Sequence, residues 1–255
     1  MKRFYFLLIV LFLAGCSSEI KEIETRIENR LAKTNTNASF FQLKRDAYYI
    51  YQWNKDETFR DEIDEFKRLD KENFPENGRI LFTGSSSIRF WDSLEEDMEP
   101  LKVLNRGFGG AQISHVIHHF EDIVKPYNPK AIVFFCGTND LTALKTPKET
   151  VNDFKKFYSL IRNQFGNIKV YMIGIKPSVD RFYLDEEEKI FNNSIKLLAS
   201  EDAYLEYIDV WDSMLNEDGS RMPELYIEDG LHMNKKGYEV WTNLVRKSLL
   251  KDFNI

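Results

Sequence analysis

The sequence predicts an α/β fold in which helices cover both faces of a parallel β-sheet. Three observations lead there. Short apolar runs recur at residues 80–83, 103–104, 131–136, 170–175 and 207–210, and helical stretches separate most of them. Strands that alternate with helices fold into parallel sheets, and strands buried on both sides read as near-continuous apolar runs. The chain has 255 residues, of which 43% are hydrophobic. That supplies one sizeable core, or one domain with an appendage.

The elements follow in chain order. Met1-Lys2-Arg3 precedes the apolar run FYFLLIVLFLAG and then Cys16. A basic start, an apolar core and small residues before a cut site read as a secretory signal over residues 1–15, and the run is too short for an ordinary membrane span. Leu13-Ala14-Gly15-Cys16 resembles the lipobox of bacterial lipoproteins, which implies a lipidated Cys16 at the mature N-terminus and an envelope location. A plain signal peptide with an incidental cysteine is the competing reading. Cleavage removes two basic residues and no acidic ones, so the mature chain is more acidic still.

Residues 16–39 form a segment of their own. Ile20, Ile23, Ile27 and Leu31 share a helical stripe, and TNTNAS then breaks it. The expectation is a tether helix and polar linker, either a spacer or a docked arm. Residues 40–75 read as a helical extension packed on the core, with Phe59, Ile63, Phe66 and Leu69 on one stripe that ends before Pro75. The aromatic group YYIYQW, Tyr48 to Trp53, reads as helix packing, with a carbohydrate-binding surface as the alternative. The main domain spans residues 76–255. Within it, Thr146-Pro147-Lys148-Glu149 carries an N-cap, a first-turn proline and a capping-box glutamate. Val151, Phe154, Tyr158, Ile161 and Phe165 then make a buried face, and Gly166 the stop. A last helix is expected from about residue 236 to 250.

Charge and cysteines narrow the function classes. The net charge of −6 and a pI near 5.4 argue against nucleic acid as a partner. With Cys16 lipidated, Cys136 is alone inside AIVFFCG and reads as a small buried core residue, so no disulfide is expected.

In an open parallel sheet, ligands bind beyond the carboxyl ends of the strands. Four strand-end loops carry chemistry. They are GSSS at Gly84 to Ser87, NRGFGGAQ with Gly107, Gly109 and Gly110, GTND at Gly137 to Asp140, and DGLH at Asp229 to His232. A serine hydroxyl needs a base to become a nucleophile, and His232 is the only histidine near the C-terminal end. Asp229, three residues earlier, can turn back to orient the imidazole. Taken singly, each block has a bland reading. Ser85 to Ser87, Asn139 and Asp140 suit helix caps, the glycines suit turns, and His232 suits an ordinary surface. HVIHHF puts His115 and His119 four apart, with His118 between, as in a helical metal pair. No glutamate follows His115 and no third ligand is fixed by spacing, so no metal is expected.

The four blocks, in order and each after an expected strand, resemble the SGNH/GDSL hydrolase family over roughly residues 76 to 250. GSSSIRFW and NRGFGG are similar to a bacterial branch that has serine where the usual motif has aspartate. The resemblance implies a three-layer α/β/α sandwich with a flavodoxin-like sheet of about five parallel strands. It implies Ser86 as nucleophile, His232 and Asp229 as its partners, and an oxyanion hole from the N–H groups of Ser86 and Gly110 with the Asn139 amide. It also implies no cofactor. Ser85 stands in the aspartate position, and Ala111 stands where many relatives carry a polar residue. The expected activity is esterase- or lipase-type hydrolysis of acyl esters through an acyl-enzyme, with a carbohydrate acetyl esterase acting on glycans as the alternative. A silent lipoprotein that binds glycans or lipids is the reading from another class. The G-x-S-x-G elbow of the α/β-hydrolases is absent at Gly84 to Ile88.

Overall fold

The computed structural model of the chain describes residues 17–253. It divides into two compact units, Met1–Thr58 and Phe59–Ile255. The expected signal segment and Cys16 lie outside the described residues.

The first unit is a helical hairpin. Helix α1 (Ser18–Lys33) buries Ile20, Ile23 and Ile27, three of the four stripe residues. A short turn leads to α2 (Phe40–Trp53), which opens on a reciprocal capping box between Ser39 and Gln42. The two helices pack on each other, and Lys44 of α2 pairs with Glu24 of α1 at 2.7 Å. Tyr48 to Trp53 therefore belong to a helix of this unit, with Tyr49 exposed. The residues grouped as 40–75 in the sequence are thus divided, since α3 (Arg60–Glu72) belongs to the second unit.

The second unit is a three-layer α/β/α sandwich. Its strands are β1 (Ile80–Gly84), β2 (Val103–Gly107), β3 (Ala131–Phe135), β4 (Lys169–Ile173) and β5 (Leu205–Ile208). All pair in parallel in the order β2-β1-β3-β4-β5. Strand order reverses beside β1, and this switch point is where open sheets place their ligands. Alternate side chains feed two separate cores. Leu81, Leu104, Ile132, Phe134, Val170 and Met172 pack on one face, with Ile63 of α3. Ile80, Phe82, Val103, Val133, Phe135 and Ile173 pack on the other.

The remaining α-helices are short α4 (Ser86–Arg89), α5 (Leu94–Asp97), α6 (Ile113–His118), α7 (Phe120–Ile123) and α8 (Thr138–Thr142), then long α9 (Pro147–Phe165), α10 (Asp185–Glu201) and α11 (Lys235–Asp252). Helix α9 starts on the expected Thr146–Glu149 capping box and ends at Gly166. Phe157 sits at the core centre of α9 in place of Tyr158, whose ring stacks on Phe154 and whose hydroxyl donates to Asp202 at 2.7 Å. The last strand lies two residues earlier than the apolar run suggested. Its ladder with β4 ends at the Ile173–Ile208 pair, and Asp209 then turns the chain by accepting from the Trp211 N–H at 3.2 Å.

Candidate active site

The end of β1 needs glycine. Gly84 has φ 129°, and a Cβ there would overlap the carbonyl oxygen of Phe135 in β3. The next residue, Ser85, donates its N–H to that same carbonyl at 2.9 Å, so the chain leaves the sheet already tethered. Gly107, at the end of β2, is equally constrained, because a Cβ would overlap the backbone nitrogen of Arg89. The three hydroxyls then part company. Ser85 is buried and makes no capping hydrogen bond. Ser86 Oγ lies 2.8 Å from His232 Nε2, and Ser87 Oγ accepts from Lys176 Nζ at 3.2 Å.

The histidine arrives on a tightly held loop. An antiparallel bridge joins Tyr226 to Met233, and the Ile227 N–H donates to the His232 carbonyl at 2.9 Å. Asn234 caps α11 through its side-chain oxygen and donates its amide to the carbonyls of Glu224 and Tyr226. Within this loop, Asp229 Oδ1 accepts from the N–H groups of Leu231 and His232, both at 2.9 Å. Its Oδ2 lies 2.6 Å from His232 Nδ1. Partial burial opposes ionisation of Asp229, but the ring and the two backbone donors outweigh it and hold the carboxyl below its usual range. An ionised carboxylate only accepts, so Nδ1 carries the ring proton. In the neutral imidazole Nε2 is then the acceptor, and the Ser86 hydroxyl donates to it. The Phe90 and His232 rings meet in a T-shaped pair, with centroids 5.0 Å apart, while Phe90 itself stays 42% exposed.

The glycine and asparagine loops meet at Ala111. Gly110 has φ 66°. The Ala111 carbonyl accepts from Asn139 Nδ2 at 2.9 Å and from Cys136 Sγ at 3.2 Å. Asp140 is fully buried, accepts from the Ile113 N–H at the start of α6, and pairs with Lys145 at 2.8 Å. Glu62 of α3 secures the same loops from outside. Its Oε2 accepts from the Gly109 N–H at 3.1 Å and pairs with Arg89 at 3.2 Å. Arg89 and Gly107 also line a groove of about 630 Å³, together with Phe66 and Leu69 of α3.

The structure thus brings Ser86, Asp229 and His232 into one hydrogen-bonded chain, and ties Asn139 to the residue after Gly110. The histidine cluster has a different place. His115 is buried, its Nδ1 accepts from the Gln112 N–H at 3.0 Å, and its ring packs edge-on against Phe59. Among the described residues no three His, Cys, Asp or Glu side chains gather as a metal site. Cys136 is a free buried thiol, and burial pushes its pKa well up.

Three charged residues beside the site carry no motif. Lys176 follows β4 and is buried, and desolvation together with the nearby Arg181 charge lowers its pKa to about 8. Arg181 Nη1 donates to Asn139 Oδ1 at 2.8 Å. Glu188 of α10 is buried and accepts from Thr138 Oγ1 at 2.7 Å, and burial raises its pKa to about 7. The rule that exposed the other loops applies equally to the end of β4. Following it there finds Lys176, although nothing local in the sequence points to Arg181 or Glu188.

The GDSL-like Lipase/Acylhydrolase family matches residues 81–240, which span all four strand-end blocks. The chain belongs to that family. Solved structures share the family's fold with it. A Streptococcus pneumonia protein, solved as a candidate platelet activating factor, superposes with a TM-score of 0.66 at 20% identity, covering 84% of this chain and 99% of its own. A GDSL-like lipase from Bacteroides thetaiotaomicron VPI-5482 gives 0.63 at 21% identity, covering 75% and 100%. An N-acylneuraminate cytidylyltransferase of Escherichia coli O18:K1:H7 (strain RS218 / NMEC) is 25% identical over 167 residues, or 64% of this chain. The chain spans 38% of the length of that curated relative. No helix among the described residues is long and apolar enough to cross a membrane.

Proposed function

We propose that this GDSL-family hydrolase cleaves acyl esters through a serine acyl-enzyme. Ser86 attacks the ester carbonyl carbon while its proton passes to His232 Nε2. Asp229 holds the tautomer and stabilises the imidazolium that forms. The carbonyl oxygen takes the negative charge and is met by the N–H groups of Ser86 and Gly110 and by the Asn139 amide. Collapse breaks the bond to the alcohol, which leaves with the proton from His232. Water then repeats the sequence, so that a carboxylic acid departs and Ser86 regains its proton. The observation that carries this reading is the unbroken hydrogen-bond chain from Ser86 Oγ through His232 to Asp229, at 2.8 and 2.6 Å.

The test is turnover of p-nitrophenyl esters of increasing chain length. Ser86→Ala is expected to lower kcat by roughly 10⁴-fold or more. Undiminished turnover in that variant would falsify the role of Ser86. A sharp fall beyond acetate identifies a deacetylase acting on glycans. Rising activity with chain length identifies a lipid esterase.

We also propose that Cys16 is lipidated and holds the enzyme at the bacterial envelope surface. The support is the Leu13-Ala14-Gly15-Cys16 sequence behind a basic, apolar leader. Cys16→Ser is expected to move the protein from the membrane fraction to the soluble one, and continued sedimentation with membranes sinks the proposal.

A further inference from the structure

We infer that Arg181 is a positioning residue that fixes which end of the Asn139 amide faces the reacting carbonyl. The inference rests on the acyl-ester reading above, and it concerns a residue outside all four motifs.

A primary amide is nearly symmetric in shape and opposite in chemistry at its two ends. One end donates two hydrogens and the other only accepts. Turned the wrong way, Asn139 would present an oxygen to a developing oxyanion, replacing attraction with repulsion. Its surroundings permit one orientation. The Ala111 carbonyl can only accept, and it takes a hydrogen from Nδ2 at 2.9 Å. The Arg181 guanidinium can only donate, and its Nη1 reaches Oδ1 at 2.8 Å. One Nδ2 hydrogen is thereby used, and the second is left for the substrate oxygen. Asn139 is only 4% exposed, so water offers little alternative pairing.

Arg181 is itself held in place. The same Nη1 lies 3.4 Å from Thr138 Oγ1, whose hydroxyl donates to Glu188 at 2.7 Å. Thr138 and Asn139 are neighbours in the first turn of α8, so one guanidinium reads two successive side chains at the end of β3. A cation on the carbonyl end of an amide also polarises it, which strengthens donation from the nitrogen end. A structural arginine would need none of this. It would be satisfied by any carboxylate, and Asp180 and Glu188 are close enough to act on its charge.

The experiment is a double-mutant cycle on the full chain, read as kcat and KM for p-nitrophenyl acetate. Arg181→Met keeps the aliphatic stem and removes the donor. It is expected to lower kcat about 10- to 100-fold, within the range set by loss of one oxyanion donor, with KM changed less than about twofold. In an Asn139→Ala background the same substitution is expected to cost less than about threefold, because there is no amide left to orient. Arg181→Lys, which keeps a charged donor, is expected to recover part of the loss. Independent losses that multiply across the two sites overturn the inference, as does a raised KM with kcat preserved, the pattern of direct substrate binding. Should Arg181→Met fail to fold, the cycle run with Arg181→Lys decides by the same comparison. If Ser86→Ala retains full turnover, the acyl-ester reading falls. If Ser86→Ala is inactive and Arg181→Met behaves as the unaltered protein, only the role of Arg181 falls.

Discussion

Ser86, Ser87 and Ser85 are chemically alike and adjacent, yet the fold gives each a different neighbour. Ser86 meets an imidazole, Ser87 a buried ammonium, and Ser85 the inside of the turn. The sequence alone could single out Ser86 because family likeness ranks the three. It could not supply the neighbours of Ser87, since Lys176 is 89 residues away. Glu188 was equally hidden, because a glutamate in the acidic first turn of a helix ordinarily points to water and favours the helix dipole. Here it is buried, and its pKa rises from 4.5 to about 7. A folded-state pKa above the unfolded value means that the fold holds the proton more tightly than the unfolded chain does. Its contribution to stability is therefore complete below about pH 4.5 and is lost as pH rises through about 7. Glutamine cannot ionise, so Glu188→Gln should gain in Tm relative to the unaltered protein as pH goes from 4.5 to 7, then keep a constant lead. Thermal melts across that window check it, and a lead that shrinks with pH is the contrary result.

At the scale of elements, local rules were reliable where the deciding contacts were local. Helix α9 shows this, since proline, cap and capping-box glutamate lie within four residues and all three do what their positions suggest. Thr146 accepts from the Glu149 N–H at 3.2 Å, and its own N–H donates to the Glu149 carboxylate at 2.7 Å. Thr146→Ala should lower stability by about 1 kcal/mol, measurable by urea unfolding. An unchanged midpoint would show that packing alone holds this helix end. Strand β5 illustrates the opposite case. The apolar run extends past its end, but a strand lasts only as long as its neighbour, and β4 stops at Ile173. Helix α3 was legible as a stripe packed on the core, but its separation from α2 was not. What assigns it is Ile63 in the core and Glu62 on the Gly109 N–H, both of them long-range contacts.

The whole second unit was legible in its layers and strand count, because alternation of apolar runs with helices leaves few arrangements. The order β2-β1-β3-β4-β5 came from family likeness and not from periodicity. Upstream of the family match, a buried polar joint adds to the contacts of Ile63 and Glu62. Asp70 of α3 pairs with Arg106 of β2, and Tyr127 Oη donates to Asp70 at 2.6 Å while accepting from Arg106 Nε at 2.7 Å. Removing one partner leaves a desolvated charge behind, so Asp70→Ala should cost about 3 kcal/mol in chemical denaturation. A loss under about 0.5 kcal/mol would mean that this joint adds little and that Ile63 and Glu62 hold α3 to the unit.

The Cys136 thiol has a practical use. Its sulfur shares the Ala111 carbonyl with Asn139, and the residue is fully buried. With Cys16 acylated or replaced, it is the one thiol the chain offers to an alkylating reagent. Its rate of alkylation then clocks how often the packing around Ala111 and Asn139 opens. Local stability around the proposed oxyanion amide can thus be timed with the chemistry the protein already carries, with no label introduced.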